Sequence, residues 1–343
     1  MANVTRDIPL VATGARGSGT GTHARSASRT APWRRRRYIW CYLFLAPQIV
    51  VFLAFVLWPT FASWYYAFFN WDGIGRPIDF VGLDNFREVA TAPLFWNSLK
   101  NTLFYTLALV AIVVPSSLIM ALILNMKKLG GRTAYRVVFV LPVVLTSAVV
   151  GLEMVQIFAT EGGAVNNLLN ALGITSHNIA WLNIGSTAII IVIVVGAWKS
   201  FGTKMIYWLA GLQTISRDVY EAAEVDGAGA FKKLIYITLP ILLPFLAVIT
   251  YLQVLDGLHV FDLVKTMTGG GPSYATDMTS LYIYRYAFEP SSLGDSFALP
   301  RFGFASAAGI FYGLTTFIIT AVFAGAIGYS RSRVSKAVGR DEK

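Results

Sequence analysis

The sequence is poor in the groups that soluble enzymes use. It has one cysteine, Cys41, which excludes a disulfide framework and any multi-cysteine metal site. Its three histidines, His23, His177 and His259, are too widely separated to form a ligand pair at helical spacing. Only 13% of residues are charged, against roughly 25% in soluble domains. No G-x-x-x-x-G-K-[ST] run occurs, so the chain has no P-loop for nucleotide phosphates. What it has instead is apolar: 55% hydrophobic residues and a mean hydropathy of +0.59. That balance excludes a soluble enzyme or a disordered scaffold. The net charge of +10 does not point to nucleic acid, because the Lys and Arg residues cluster beside apolar segments. The expected surroundings are a lipid membrane, and the expected fold is an all-α polytopic membrane protein.

A hydrocarbon core of about 30 Å needs about 20 apolar residues in a helix. Six stretches meet that requirement: Tyr38–Trp58, Asn101–Leu124, Ala134–Phe158, Ser186–Leu209, Leu234–Leu258 and Phe304–Tyr329. In lipid each backbone polar group must be bonded within its own segment, so helices are expected, and nothing alternates with the period of a barrel strand. Lys199 and Lys204 interrupt the fourth stretch.

Short-loop Lys and Arg residues orient the chain. Arg34–Arg37 precede the first stretch. Lys127, Lys128, Arg132 and Arg136 mark the second-to-third connection, and Arg217, Lys232 and Lys233 the fourth-to-fifth. Arg331, Arg333, Lys336, Arg340 and Lys343 follow the last stretch, whereas none lies between Ala159 and Gly185. Both termini are therefore expected in the cytoplasm. Residues 1–33, rich in Gly, Ser, Thr and Arg, read as a disordered basic tail rather than a signal peptide. Residues 34–330 read as the membrane domain and 331–343 as a second cytoplasmic tail.

The most informative segment lies in the cytoplasmic 211–233 loop. Ser216 is placed as an N-cap, and Asp218 suits the positive end of a helix dipole. Val219, Ala222, Ala223 and Asp226 then fall on one face of small groups, and Gly227 allows the chain to turn. A second helix is expected from about Phe231 into the fifth stretch, bent by Pro240 and Pro244. This is a short helix joined by a hinge to a spanning one.

The run Glu221-Ala222-Ala223-x-x-Asp226-Gly227-Ala228, followed by Phe231 and Leu239-Pro240, resembles the coupling loop of permease subunits in binding-protein-dependent ABC importers. Other segments resemble the carbohydrate-uptake, maltose- and glycerol-phosphate-type class. They are Phe80-Val81-Gly82-Leu83-Asp84-Asn85-Phe86, then Gly163 with Asn166 and Asn167, then Leu209-Ala210-Gly211-Leu212-Gln213, and finally Thr268, Gly270-Gly271-Pro272 and Thr276. The likeness covers roughly residues 38–330 and lacks the extra spans and large external domain of some members. It implies the type I importer permease fold in a bacterial or archaeal cell membrane, and a heterodimer with a second permease. It also implies ATPase subunits that bind ATP and Mg, no cofactor in this chain, and an extracytoplasmic sugar-binding protein. Glu221 would then face a basic group on the ATPase, with Ala222 and Ala223 packed close.

Sugars are bound by aromatic faces and polar side chains. The fifth stretch offers Tyr251, Gln253, Asp256 and His259, with Gly257 and Val260 extending the stripe. An ionised Asp at the centre of a helix facing lipid costs about 2.5–3.5 kcal/mol, so Asp256 is expected to face a cavity or water. Lys199 reads as a cavity charge or a partner of Glu153, and Lys204 as a side chain snorkelling to the cytoplasmic surface. Three other readings compete. An ion-coupled secondary transporter should show acidic relays or related halves, a membrane enzyme should show a catalytic cluster, and an ABC permease for a non-sugar solute would differ only in its substrate.

Overall fold

The computed structural model describes residues 32–126, 129–290 and 299–338, with side chains described from Trp40 to Gly325. Residues 1–31 of the basic tail, Lys127, Lys128, Arg340 and Lys343 lie outside the described residues. Pro32 and Trp33, expected in that tail, already belong to a helix. The chain divides into two units, Met1–Pro59 and Thr60–Lys343.

In the first unit α1 (Pro32–Phe52) runs into a π-helical turn over Leu53–Leu57, where the Trp58 N–H donates to the Leu53 carbonyl. Pro59, immediately beyond, has no N–H and its ring crowds the carbonyl four residues back, which favours the wider turn. α2 (Trp58–Tyr66) continues the chain. Trp58, Trp64 and Tyr65 are exposed, and Tyr66 and Trp71 are half-buried.

The second unit is helical throughout; among the described residues the only β pairing is an isolated bridge between Phe69 and Phe80. A short α3 (Asp84–Thr91) leads to α4 (Pro93–Asn125), which has proline in its first turn where no intrahelical N–H is needed. α5 (Arg132–Val144) and α6 (Ser147–Ile157) follow, then α7 (Ala164–Ala171) and α8 (Gly185–Leu212). Next come α9 (Arg217–Val225), α10 (Ala230–Lys233), a π-helical turn over Leu234–Thr238 and α11 (Leu239–Leu258). α12 (Asp262–Met267), α13 (Thr279–Phe288) and α14 (Phe302–Val338) complete the order.

Five segments are long and apolar enough to cross a membrane: Trp40–Tyr66, Pro93–Asn125, Gly185–Leu212, Ala230–Leu258 and Phe302–Gly325. The expected third stretch, Ala134–Phe158, is not one straight span. It is α5 and α6, bent by 98° at their junction. Leu145 and Thr146 are extended there, and Thr146 Oγ1 accepts from the Val149 N–H at 3.4 Å, starting a new helix. Pro142, which also withholds an N–H, weakens the last turn before the break. Counted as one broken span, the pair makes the sixth.

The core is built on α4 and α8. One cluster joins Tyr105, Leu109 and Val113 of α4 to Ile191, Val192 and Val195 of α8 and to Leu263, Val264 and Met267 of α12. A second joins Val114, Ala121 and Leu124 to Met205, Trp208 and Leu212 and to Leu242 and Ile249 of α11. Trp208 also donates its indole N–H to the Val114 carbonyl at 3.2 Å, so its one polar atom is satisfied in the apolar interior.

Candidate functional site

Two places gather the residues singled out in the sequence: the α9 segment, and a cavity between α8 and α11.

α9 begins after Ser216, whose backbone is extended as an N-cap requires, although its hydroxyl makes no capping bond. It ends in a Schellman arrangement. The Ala228 N–H donates to the Ala223 carbonyl at 2.8 Å and the Gly227 N–H to the Glu224 carbonyl at 3.0 Å, with Gly227 at φ +75°. Only glycine takes that backbone cheaply. No residue of α9 is buried: Val219, Glu221, Ala222 and Asp226 are exposed, and Ala223 and Ala228 are half-buried. Two side-chain links tie α9 to the foot of the next helix. Tyr220 Oη and Thr238 Oγ1 lie 2.9 Å apart, and Lys233 Nζ lies 2.7 Å from Glu224 Oε1. Between these links lies a cleft of about 750 Å³ lined by Arg217, Tyr220, Glu221 and Phe231 among others. The π-turn over Leu234–Thr238 lies just ahead of Pro240, where a bend was expected.

The second place is a cavity of about 450 Å³. Of the residues singled out in the sequence, it gathers Lys199, Gln253, Asp256, His259 and Val260. It does not take Tyr251, whose ring lies 6.5 Å from that of Phe323. Gly257 is not on its wall either. A Cβ there would stand 2.8 Å from Thr106 Oγ1 and 2.9 Å from Thr106 Cα, so this glycine lets α11 approach α4. Val143 and Ser147, on either side of the break between α5 and α6, also reach the wall.

The buried polar groups are the most telling. Gln253 is 0% exposed, and neither its Nε2 nor its Oε1 has a hydrogen-bond partner among the described residues. A buried polar group left unbonded costs about 1–3 kcal/mol. Lys204 does not snorkel to the surface, contrary to the sequence expectation. It is buried at 2% exposure, with Nζ 2.5 Å from Asp256 Oδ2, because Asp256 on the neighbouring helix answers its charge at the same depth. Lys199 faces the cavity, and Glu153 is exposed.

The sequence reading passed over Gly196, Ser200, Thr203, Tyr105 and Asp262 on the wall. Gly196, Lys199, Ser200 and Thr203 fall at i, i+3, i+4 and i+7, a small and polar stripe along one face of an apolar helix. That pattern was the available signal. Among the described residues no three His, Cys, Asp or Glu side chains gather as a metal ligand set.

The other motif residues build the loops beside the spans. Asn85 Nδ2 donates to the carbonyls of Ala67 and Phe69, both at 2.9 Å. Asn166 Nδ2 donates to Ala159, Thr160 and Ile179 carbonyls, while its Oδ1 accepts from Ile179 N and Trp181 Nε1. Thr268 and Thr276 hydroxyls lie 2.7 Å apart across the turn that holds the cis Gly271–Pro272 peptide. Beside that turn Asp277 and Arg285, both buried, pair at 2.9 Å. Burial pushes the Asp277 carboxyl up to about 6, with the Arg285 guanidinium pulling the other way.

Residues 89–336 match the family described as binding-protein-dependent transport system inner membrane component. The multiple sugar-binding transport system permease protein MsmF of Streptococcus mutans is 33% identical, over 74% of this chain and 87% of that protein. The lactose transport system permease protein LacF of Rhizobium radiobacter is 33% identical, over 72% and 83%. A solved structure of a bacterial alginate ABC transporter, in complex with an alginate pentasaccharide-bound periplasmic protein, includes a chain that superposes with a TM-score of 0.73 at 27% identity. That match covers 85% of this chain and 95% of the other.

Proposed function

The chain belongs to the family of binding-protein-dependent transport system inner membrane components, membrane transport subunits and not enzymes, and on that basis we propose that it forms half of the path by which an ATP-driven importer moves a sugar or oligosaccharide into the cell. A second permease subunit supplies the other half. ATPase subunits bind ATP and Mg on the cytoplasmic side, where both termini and α9 lie, and an extracytoplasmic binding protein delivers the sugar. Sugars are the substrates named for the two relatives described above, which supports this class over a non-sugar solute.

The observation that carries the coupling reading is the exposed α9 with its two side-chain links. A short helix with an uncovered face of small residues suits a groove on another protein. Through Tyr220–Thr238 and Glu224–Lys233 a push on α9 passes to the foot of α11. Gln253 and Asp256 stand near the other end of that helix, so nucleotide-driven motion at one face reaches the cavity wall. Closure and opening of the ATPases then rock the spans between inward- and outward-facing states.

The test is to purify the chain with its ATPase and second permease, reconstitute the complex with its binding protein, and measure ATP hydrolysis with maltose, trehalose, lactose and arabino-oligosaccharides. A polyamine and a phosphate ester serve as controls. Several-fold stimulation by a saccharide is the expected result. Stimulation by a control solute alone rejects sugar, and failure to hold any ATPase subunit rejects the coupling role.

A further inference from the structure

Lys204 lies in the last third of α8, with only 3% of its side chain exposed and buried Met205 and Trp208 nearby along the helix. A charge at that depth is costly unless paired. Its partner is unusual in being half open: 58% of the Asp256 side chain is exposed, and Asp256 lines the cavity. Asp256 Oδ2 takes the bond from Lys204, while Oδ1 receives none among the described residues. One helical turn earlier stands Gln253, fully buried on the same wall with one donor and one acceptor unbonded.

We propose that Lys204 is a positioning residue of the transport path: it fixes the Asp256 carboxylate so that Oδ1 and the Gln253 amide together meet neighbouring hydroxyl groups of the passing sugar. The proposal rests on reading this cavity as the sugar's route. Chemically, Oδ1 accepts one hydroxyl hydrogen, Gln253 Oε1 accepts another, and Gln253 Nε2 donates to a hydroxyl oxygen. Lys204 neutralises the carboxylate from behind, so the wall offers strong acceptors without a net charge to trap a cation.

Two separate outcomes keep this inference distinct from its premise. Uptake kinetics are measured in proteoliposomes holding the full complex, with whichever of radiolabelled maltose, trehalose and lactose the wild type imports. Gln253→Ala and Asp256→Asn are expected to change the KM or maximal rate of uptake about tenfold or more, the loss of a hydrogen bond to a charged or buried group. If neither changes uptake, the cavity is not the route and the premise fails. Lys204→Met is expected to reduce uptake as much as Asp256→Asn does, and Lys204→Arg to restore most of it. If Lys204→Met transports like wild type while the other two do not, the positioning role is wrong. Because the single variant leaves a carboxylate without its partner, Lys204→Met/Asp256→Asn is made in parallel. A pair serving only stability predicts that this double variant assembles and transports normally. A positioning role predicts that it assembles but transports no better than Asp256→Asn.

Discussion

At the scale of single residues, the buried polar groups outside the spans do the most to fix the loops. Asp277 and Arg285 are the clearest case. A carboxyl raised from 3.8 to about 6 holds its proton more tightly in the folded chain than in the unfolded one. Its contribution therefore favours the folded state most below pH 3.8 and declines as the pH rises towards 6. Arg285→Met removes the guanidinium that offsets this burial and leaves a buried carboxylate without its charge partner. Removing one partner of a buried pair costs about 3–5 kcal/mol. Thermal unfolding in detergent should show that loss at pH 7 and a smaller loss near pH 5, where protonation relieves the unpaired charge. An equal loss at both pH values would contradict the assignment. Asn85 and Asn166 illustrate what the sequence could and could not say at this scale. Both stood out as parts of family-like motifs, but no rule of spacing predicts that each would use its amide to gather two or more backbone groups from distant positions.

At the scale of elements, periodicity and composition located the helices well because each long helix needs one uninterrupted apolar run. α8 and α11 begin and end within a few residues of the expected stretches. The failure at α5 and α6 has a physical cause. Val143, Val144 and Leu145 are as apolar as the residues on either side, so hydropathy cannot register two extended residues in their midst. Only Pro142 and the Thr146-Ser147 pair hinted at the break. The Lys204 error is similar: spacing along one helix says which face a lysine takes, and nothing about an aspartate on the next. α9, by contrast, was largely readable, since its start after Ser216, glycine stop and small face are local features, although the Ser216 hydroxyl makes no capping bond. Its prediction belongs here. Glu221→Lys, on an exposed position, should leave folding and membrane insertion unchanged while uptake per ATP hydrolysed falls about tenfold or more, the scale on which a charge-assisted contact is lost. Normal coupling in that variant would remove α9 from the mechanism.

At the scale of the whole molecule, the proposed orientation has a direct check. Cys41 is the single native cysteine, so a Cys41→Ser background accepts one new thiol at a time. A cysteine at Glu161 should react with a membrane-impermeant maleimide added to intact cells. One at Asp218 should react only after the membrane is permeabilised. Reversed labelling would place α9 outside and overturn the coupling account.

The length of α4 has a mechanical consequence. Its 33 residues span about 50 Å at 1.5 Å each, well beyond a hydrocarbon slab of about 30 Å. Near its first turns Asn97 and Asn101 reach across to the Tyr274 carbonyl, and Thr102 to Thr279. Its far end, at Leu124, packs in the same cluster as Leu212 and Ile215, the residues that lead into α9. The helix is therefore held at both ends with Pro115, which withholds an N–H from the ladder, between them: a tilt at the Leu124 end is shared between hinging at that proline and carrying along the turn that holds Tyr274.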